Sequence, residues 1–237
     1  MESIVFDSPR ERLFGTVFLP DGDPSAESPR EGTLPGILFV HGLRSDQSGY
    51  LSRARVSASE LRVVCLTFDL GGHGEHGSSF LLESLTPRDH LLDVAAAYDR
   101  LAGHCWVDPA RIGVCGTSYG AYLAAMLVRQ RPVRRLLMRA PAMHGDDEFT
   151  RPLGDLPGSR AHASTSMPAA ALAEFSGETL ILESAADEVI PQEVIQTYLK
   201  SSPGTRHRTI SGATHALTRP EWKERFVREI LEFFAEL

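Results

Sequence analysis

The chain has 237 residues, 42% of them hydrophobic and 23% charged, which excludes a disordered or fibrous protein and suits a single domain with a sizeable buried core. A formal net charge of -7, with no Lys/Arg cluster among aromatics, argues against nucleic acid as a partner. No apolar run is long enough to span a membrane, and the opening MESIVFDSPRERLFG lacks the apolar stretch of a secretory signal, so a cytoplasmic protein is expected.

In chain order, short runs rich in Val, Ile, Leu and Phe alternate with segments of helical period, the pattern of a mainly parallel sheet covered by helices. Strands are expected at Ser3 to Phe6, Leu13 to Leu19, Gly36 to Val40, Val63 to Phe68, Ile112 to Cys115, Arg135 to Arg139, Thr179 to Glu183 and Arg206 to Ile210. The first two are joined by too few residues for a crossover helix and should pair as an antiparallel hairpin at the sheet edge. Helices are expected at Pro87 to Leu101, Tyr119 to Gln130, Pro191 to Leu199 and Pro220 to Ala235. The last carries Trp222, Phe226, Ile230 and Phe234 on one face, a core-packing stripe, and Thr218-Arg219-Pro220-Glu221 fits a capping box before it.

Asp21 to Pro35, rich in Pro, Ser and charge, reads as an exposed loop. Met143 to Gly177 is longer than an ordinary connection and holds one short helix candidate, Pro168 to Phe175. It is expected to be a lid or cap insertion that carries specificity. Of three cysteines, Cys65 and Cys115 sit in apolar runs and read as reduced core thiols.

The chemistry concentrates where an apolar strand, Ile112 to Cys115, runs into Gly116-Thr117-Ser118-Tyr119-Gly120 and then a small-residue helix. GxSxG alone arises by chance in roughly one chain in ten. Between a strand and a helix it is a nucleophile elbow: Gly116 and Gly120 admit neighbouring backbone, and the helix aims its NH groups at the serine. A serine hydroxyl needs a base, and the base needs an orienting group. His215, in Gly212-Ala213-Thr214-His215, follows the last strand, and Asp187 follows the strand Thr179 to Glu183. A parallel sheet brings such strand ends to one edge, and the order Ser118, Asp187, His215 is the one this architecture uses. Glu183, Glu188 and the pair Asp146-Asp147 are alternative acids. The turn His41-Gly42-Leu43 ends the third strand. The backbone NH groups of Leu43 and Tyr119 are assigned to an oxyanion hole, with His41 and Gly42 supporting the loop and the rings of Tyr50 and Tyr119 lining the pocket.

Taken together, His41-Gly42, Phe68-Asp69-Leu70-Gly71-Gly72-His73-Gly74, Asp108-Pro109-Ala110-Arg111-Ile112-Gly113, the elbow, Asp187 to Pro191 and GATH ending at His215 resemble the α/β-hydrolase superfamily. Within it the chain is similar to small esterases related to dienelactone hydrolases, feruloyl esterases and the catalytic domain of prolyl oligopeptidases. The resemblance implies an eight-stranded α/β-hydrolase fold and a serine hydrolase that cleaves carboxylic esters of small to medium acyl groups through an acyl-enzyme. Ser118 replaces the cysteine nucleophile of dienelactone hydrolases proper, and the chain leaves no room for a prolyl-oligopeptidase propeller. Thioesterase, amidase or peptidase and carbon-carbon hydrolase activities use the same triad and stay open, as does a non-catalytic binding role. No cofactor or metal is expected: His73-Gly74-Glu75-His76 lacks the HExxH spacing. The expected partner is a small-molecule ester, with homodimer formation left open.

Overall fold

Successive side chains of a strand point to opposite faces, so a continuous apolar run is buried on both, and this is how the central sheet is built. The computed structural model describes residues 1–21, 33–74 and 80–237. Positions 22–32 of the expected loop, and Glu75 and His76, lie outside them. The strands are β1 (Glu2–Asp7), β2 (Arg12–Phe18), β3 (Leu34–Val40), β4 (Val64–Phe68), β5 (Val107–Thr117), β6 (Arg135–Arg139), β7 (Glu178–Ser184) and β8 (Arg206–Ile210). They form one eight-stranded sheet in the order β1-β2-β4-β3-β5-β6-β7-β8. The β1/β2 hairpin is antiparallel, β2 runs antiparallel to β4, and every later pairing is parallel. The expected fold class is thus the observed one.

Among the described residues six helices cover the sheet: α1 (Ser48–Leu61), α2 (Pro87–Ala102), α3 (Tyr119–Leu127), α4 (Met167–Glu174), α5 (Gln192–Ser201) and α6 (Pro220–Phe234). Leu38, Val40, Val114, Leu136 and Met138 point into a core shared with α2, α3 and α5. Their strand neighbours Ile37, Phe39, Cys115 and Leu137 point the other way, against α1 and α6. Trp222, Phe226, Ile230 and Phe234 of α6 are all buried there, as their spacing implies. Cys65 and Cys115 are buried free thiols.

After β3 the chain crosses to β4 on one side, then returns to β5 on the other, so the strand order reverses around β3. The crevice above the C-terminal ends of β3 and β5 is the switch point where open α/β sheets bind ligands.

Two local expectations need correction. Helix α1 has no counterpart in the expected elements, because its buried face is Tyr50, Ala54, Ser57 and Ala58, small and polar residues that draw no apolar stripe. The capping box at Thr218 does not form. Proline favours the first helical position, so α6 starts at Pro220 with Arg219 as its cap, one residue later than a Thr218 cap requires. The box that does form is Thr86 with Asp89, at the head of α2.

The segment from Met143 to Gly177 contains two short 3-10 turns and α4, and is fastened to the body. Phe149 O accepts the Arg88 NH at 3.0 Å, and the Leu153 NH donates to Leu85 O at 2.8 Å. Glu148 is fully buried, accepting from the Gly145 NH at 2.7 Å and from Arg160.

Candidate active site

Ser118 stands between the last residue of β5 and the first of α3, with φ 55° and ψ −120°. That backbone is costly for a residue with a Cβ, and it persists only where the surroundings over-determine it. Here they do. The Ser118 NH donates to Arg139 O at 2.9 Å, and its carbonyl accepts the NH groups of Ala121, Tyr122 and Ala142 at 3.0, 3.1 and 3.0 Å. A Cβ at Gly120 would meet His41 O at 2.3 Å, and one at Gly116 would meet Gly120 O at 2.6 Å. The two glycines therefore let β3, β5 and α3 approach backbone to backbone.

The structure brings Ser118, His215 and Asp187 into one chain of hydrogen bonds. His215 Nε2 is 3.1 Å from Ser118 Oγ, and Nδ1 is 2.9 and 3.0 Å from the two oxygens of Asp187. With Nδ1 facing a carboxylate, the ring proton belongs there and Nε2 is left to accept from the serine. Asp187 Oδ1 also accepts the NH groups of Val189 and Ile190, at 2.9 and 2.8 Å. Partial burial pushes this carboxyl up, but the bonds from His215 and the two backbone NH groups outweigh it, so Asp187 lies below the usual carboxylate range. The other candidate acids are engaged elsewhere. Asp146 accepts the Met167 NH, Asp147 pairs with Arg151, Glu183 binds His207, and Glu188 accepts the backbone NH of His215.

Across the crevice, the turn after β3 rests on buried imidazoles. His41 Nε2 accepts the Leu70 NH at 3.0 Å, so Nδ1 donates to Gly42 O at 2.8 Å. His73 Nε2 accepts the Arg44 NH at 3.1 Å, and its Nδ1 donates to Gly71 O at 3.0 Å. His90 Nε2 donates to the same carbonyl at 2.9 Å while Nδ1 takes the Tyr119 hydroxyl at 3.1 Å. The rings of His41, His73 and His90 pack in sequence, the first pair edge to face and the second tilted, with centroids 5.0 and 5.3 Å apart. Burial, reinforced by His73, lowers His41 to about 4 and His90 to about 3. The NH groups of Leu43 and Tyr119 have no acceptor among the described residues. The Tyr119 ring does not line a pocket as expected: it is 2% exposed and turned inward to His90.

A cleft of about 470 Å³ opens beside the serine, bounded by Gly42, Thr117 and His215 and walled by α1 and α6 through residues such as Tyr50 and Phe226. No residue of the segment from Met143 to Gly177 lines it. Among the described residues no group of three His, Cys, Asp or Glu side chains is arranged to hold a metal ion. Nor is any described helix long and apolar enough to cross a membrane.

Known structures share the fold at low sequence identity. DcsB in complex with its substrate analogue matches with a TM-score of 0.76 at 15% identity, covering 99% of this chain and 98% of that one. Est1E from Butyrivibrio proteoclasticus, with ferulic acid bound, gives a TM-score of 0.73 at 19% identity over 98% of this chain and all of that one. The chain has the α/β-hydrolase fold.

Pyrococcus horikoshii acylaminoacyl peptidase shares the fold over 98% of this chain, with a TM-score of 0.75 at 17% identity, although the match covers only 41% of that larger chain. Residues 50–135 match the prolyl oligopeptidase family. Among curated sequences, two uncharacterized proteins from strains of Mycobacterium tuberculosis are 34% identical over 110 residues, 46% of this chain and 37% of each of theirs. The chain's match thus spans little more than a third of the length of those relatives. In this α/β-hydrolase two further residues stand beside the serine: Tyr50, which lines the cleft as the sequence leads one to expect, and Arg139, to which the sequence alone assigns no role. Tyr50 shares a hydrogen bond with Thr117, the residue before Ser118. Arg139, paired in register with Thr117 at the end of β6, donates to the carbonyls of Thr214 and His215 and to Ser184 Oγ. A charge closing the apolar run Leu136-Leu137-Met138, on the strand beside the elbow, is the signal that could have found it.

Proposed function

We propose that the chain is a serine hydrolase that cleaves carboxylic esters of small to medium acyl groups through an acyl-enzyme. The observation that carries this reading is the unbroken line from Asp187 through His215 to Ser118 Oγ, with the last step at 3.1 Å. Nε2 takes the hydroxyl proton as Oγ attacks the ester carbonyl, and Asp187 holds the resulting imidazolium. The carbonyl oxygen becomes an oxyanion, for which the backbone NH groups of Leu43 and Tyr119 are the assigned donors; fixed backbone donors need no reorganisation. Collapse expels the alcohol, which leaves with the proton from Nε2. Water then attacks the acyl-enzyme by the same route and releases the acid.

The printed names of similar structures include both an acylaminoacyl peptidase and a protein holding ferulic acid, so the bond type is chosen by experiment. The protein is labelled with a fluorophosphonate and assayed on matched ester, thioester and anilide substrates. A single adduct at Ser118 with esters turned over fastest is expected. An adduct accompanied by faster thioester or anilide cleavage would replace the ester assignment, and no adduct on folded protein would overturn the serine-hydrolase reading.

A further inference from the structure

The cleft beside Ser118 is more positive than an uncharged substrate requires. On a chain of formal net charge -7, Arg53 from α1, Arg139 from the end of β6 and Lys223 from α6 all line it. None of the three takes part in an ion pair among the described residues. Arg139 is only 4% exposed, and its Nε–H is buried without a partner, as is that of Arg53. A buried guanidinium without counter-charge is costly, and an anionic ligand is the natural remedy.

The local carboxylates do not supply that charge. Asp187 and Glu188 are bound to His215, through its ring and its backbone NH respectively. Asp46, on the cleft wall, accepts the Ser48 NH at 2.8 Å. Burial accordingly lowers Arg139 from the usual arginine value, with Asp187 and Glu188 offsetting only part of the effect. Arg53 is aimed by its stacking over Phe226 and Tyr50, at 5.1 and 5.9 Å from their ring centroids. The three cations belong to separate elements and converge on one cavity that His215 also lines.

We propose that this cleft selects esters bearing a carboxylate, held between α1 and α6 by Arg53, Lys223 and Arg139. The inference rests on the serine-hydrolase reading for turnover, but not for binding. Long-range electrostatics cannot produce the preference, because the net charge of the whole chain repels anions.

The test compares matched pairs that differ only in that charge. One pair carries it on the acyl side, 4-nitrophenyl hydrogen adipate against its methyl ester. The other carries it on the alcohol side, 4-acetoxybenzoate against methyl 4-acetoxybenzoate. In at least one pair kcat/KM is expected to favour the free acid tenfold or more. That excess should fall at least fivefold in Arg53→Met and in the exposed-site variant Lys223→Ala. The responding pair tells which half of the ester lies in the cleft. Equal turnover, or a preference for the methyl ester in both pairs, overturns the carboxylate inference and leaves the hydrolase reading standing. If no ester is turned over, calorimetry on Ser118→Ala still decides: tighter binding of monomethyl adipate than of dimethyl adipate supports the cleft, and equal binding overturns it.

Discussion

Two sets of histidines flank the crevice, and they are built for opposite ends. His215 is 18% exposed, sits on a loop, and has a carboxylate on one ring nitrogen and a hydroxyl on the other. His41 and His90 are 2% and 0% exposed, and their partners are chiefly backbone groups. A carboxylate neighbour makes imidazolium affordable, whereas burial against amides and other imidazoles forbids it. One side chain type is thus set to carry a proton in one wall, as the proposed mechanism requires, and serves as a neutral strut in the other.

The comparison can be broken at several points. Replacing the carrier is expected to have the largest effect. His215→Ala should lower kcat for ester cleavage on the order of 10⁴-fold or more while thermal unfolding hardly moves, and retained turnover would remove it from the proposed mechanism. Asp187→Asn keeps the shape but loses the charge that fixes the Nδ1 proton, so a fall on the order of 10²- to 10⁴-fold in kcat is expected, measured beside an unchanged KM.

Replacing a strut should do the reverse. His90→Ala leaves a buried cavity, frees the Tyr119 hydroxyl and takes from the Gly71 carbonyl one of its two donors, and should cost about 2–4 kcal/mol in chemical denaturation. A loss below half a kcal/mol would mean the row is not structural.

Acid should distinguish the two sets with the smallest perturbation. His41, His90 and His144 are held below their usual value, at about 4, 3 and 4, chiefly by burial. The unfolded chain takes up these protons below pH 6.5 and the folded chain does not, so stability falls as pH drops from 6.5 toward 4. Asp93 runs the other way, since burial raises it to about 6 and the folded state gains its proton first. Burial lowers His73 and His104 as well, so the histidines outweigh the aspartate and stability falls as pH drops from 6 to 4. Urea midpoints across that range, in wild type and His41→Gln, measure it. A flat profile would show that the struts ionise freely.

Much of this was legible in the sequence because parallel strands are apolar runs. Arg135–Arg139 and Arg206–Ile210 fall where the sequence puts them, and Ser118, Asp187 and His215 each end or follow such a run. Apart from the charge that Arg139 places at the end of an apolar run, the rest has no local signature. Helix α1 buries Ala54, Ser57 and Ala58, which no hydrophobic period marks. The row of His41, His73 and His90 joins three separate segments. Arg53, Arg139 and Lys223 meet only because β6 lies beside β5 while α1 and α6 share a face. Such convergence is a property of the fold, not of any window of sequence.

The missing methyl at Gly120 also has an evolutionary side. Because β3 and α3 meet there through bare backbone, no side chain can be added at residue 120 without forcing the strand and the helix apart. The walls supplied by α1 and α6 are all side chain. Descendants of this sequence can therefore recolour the cleft, trading its cations for apolar or acidic residues, and inherit the elbow unchanged. New substrates would come by drift along two helices, while residue 120 stays fixed.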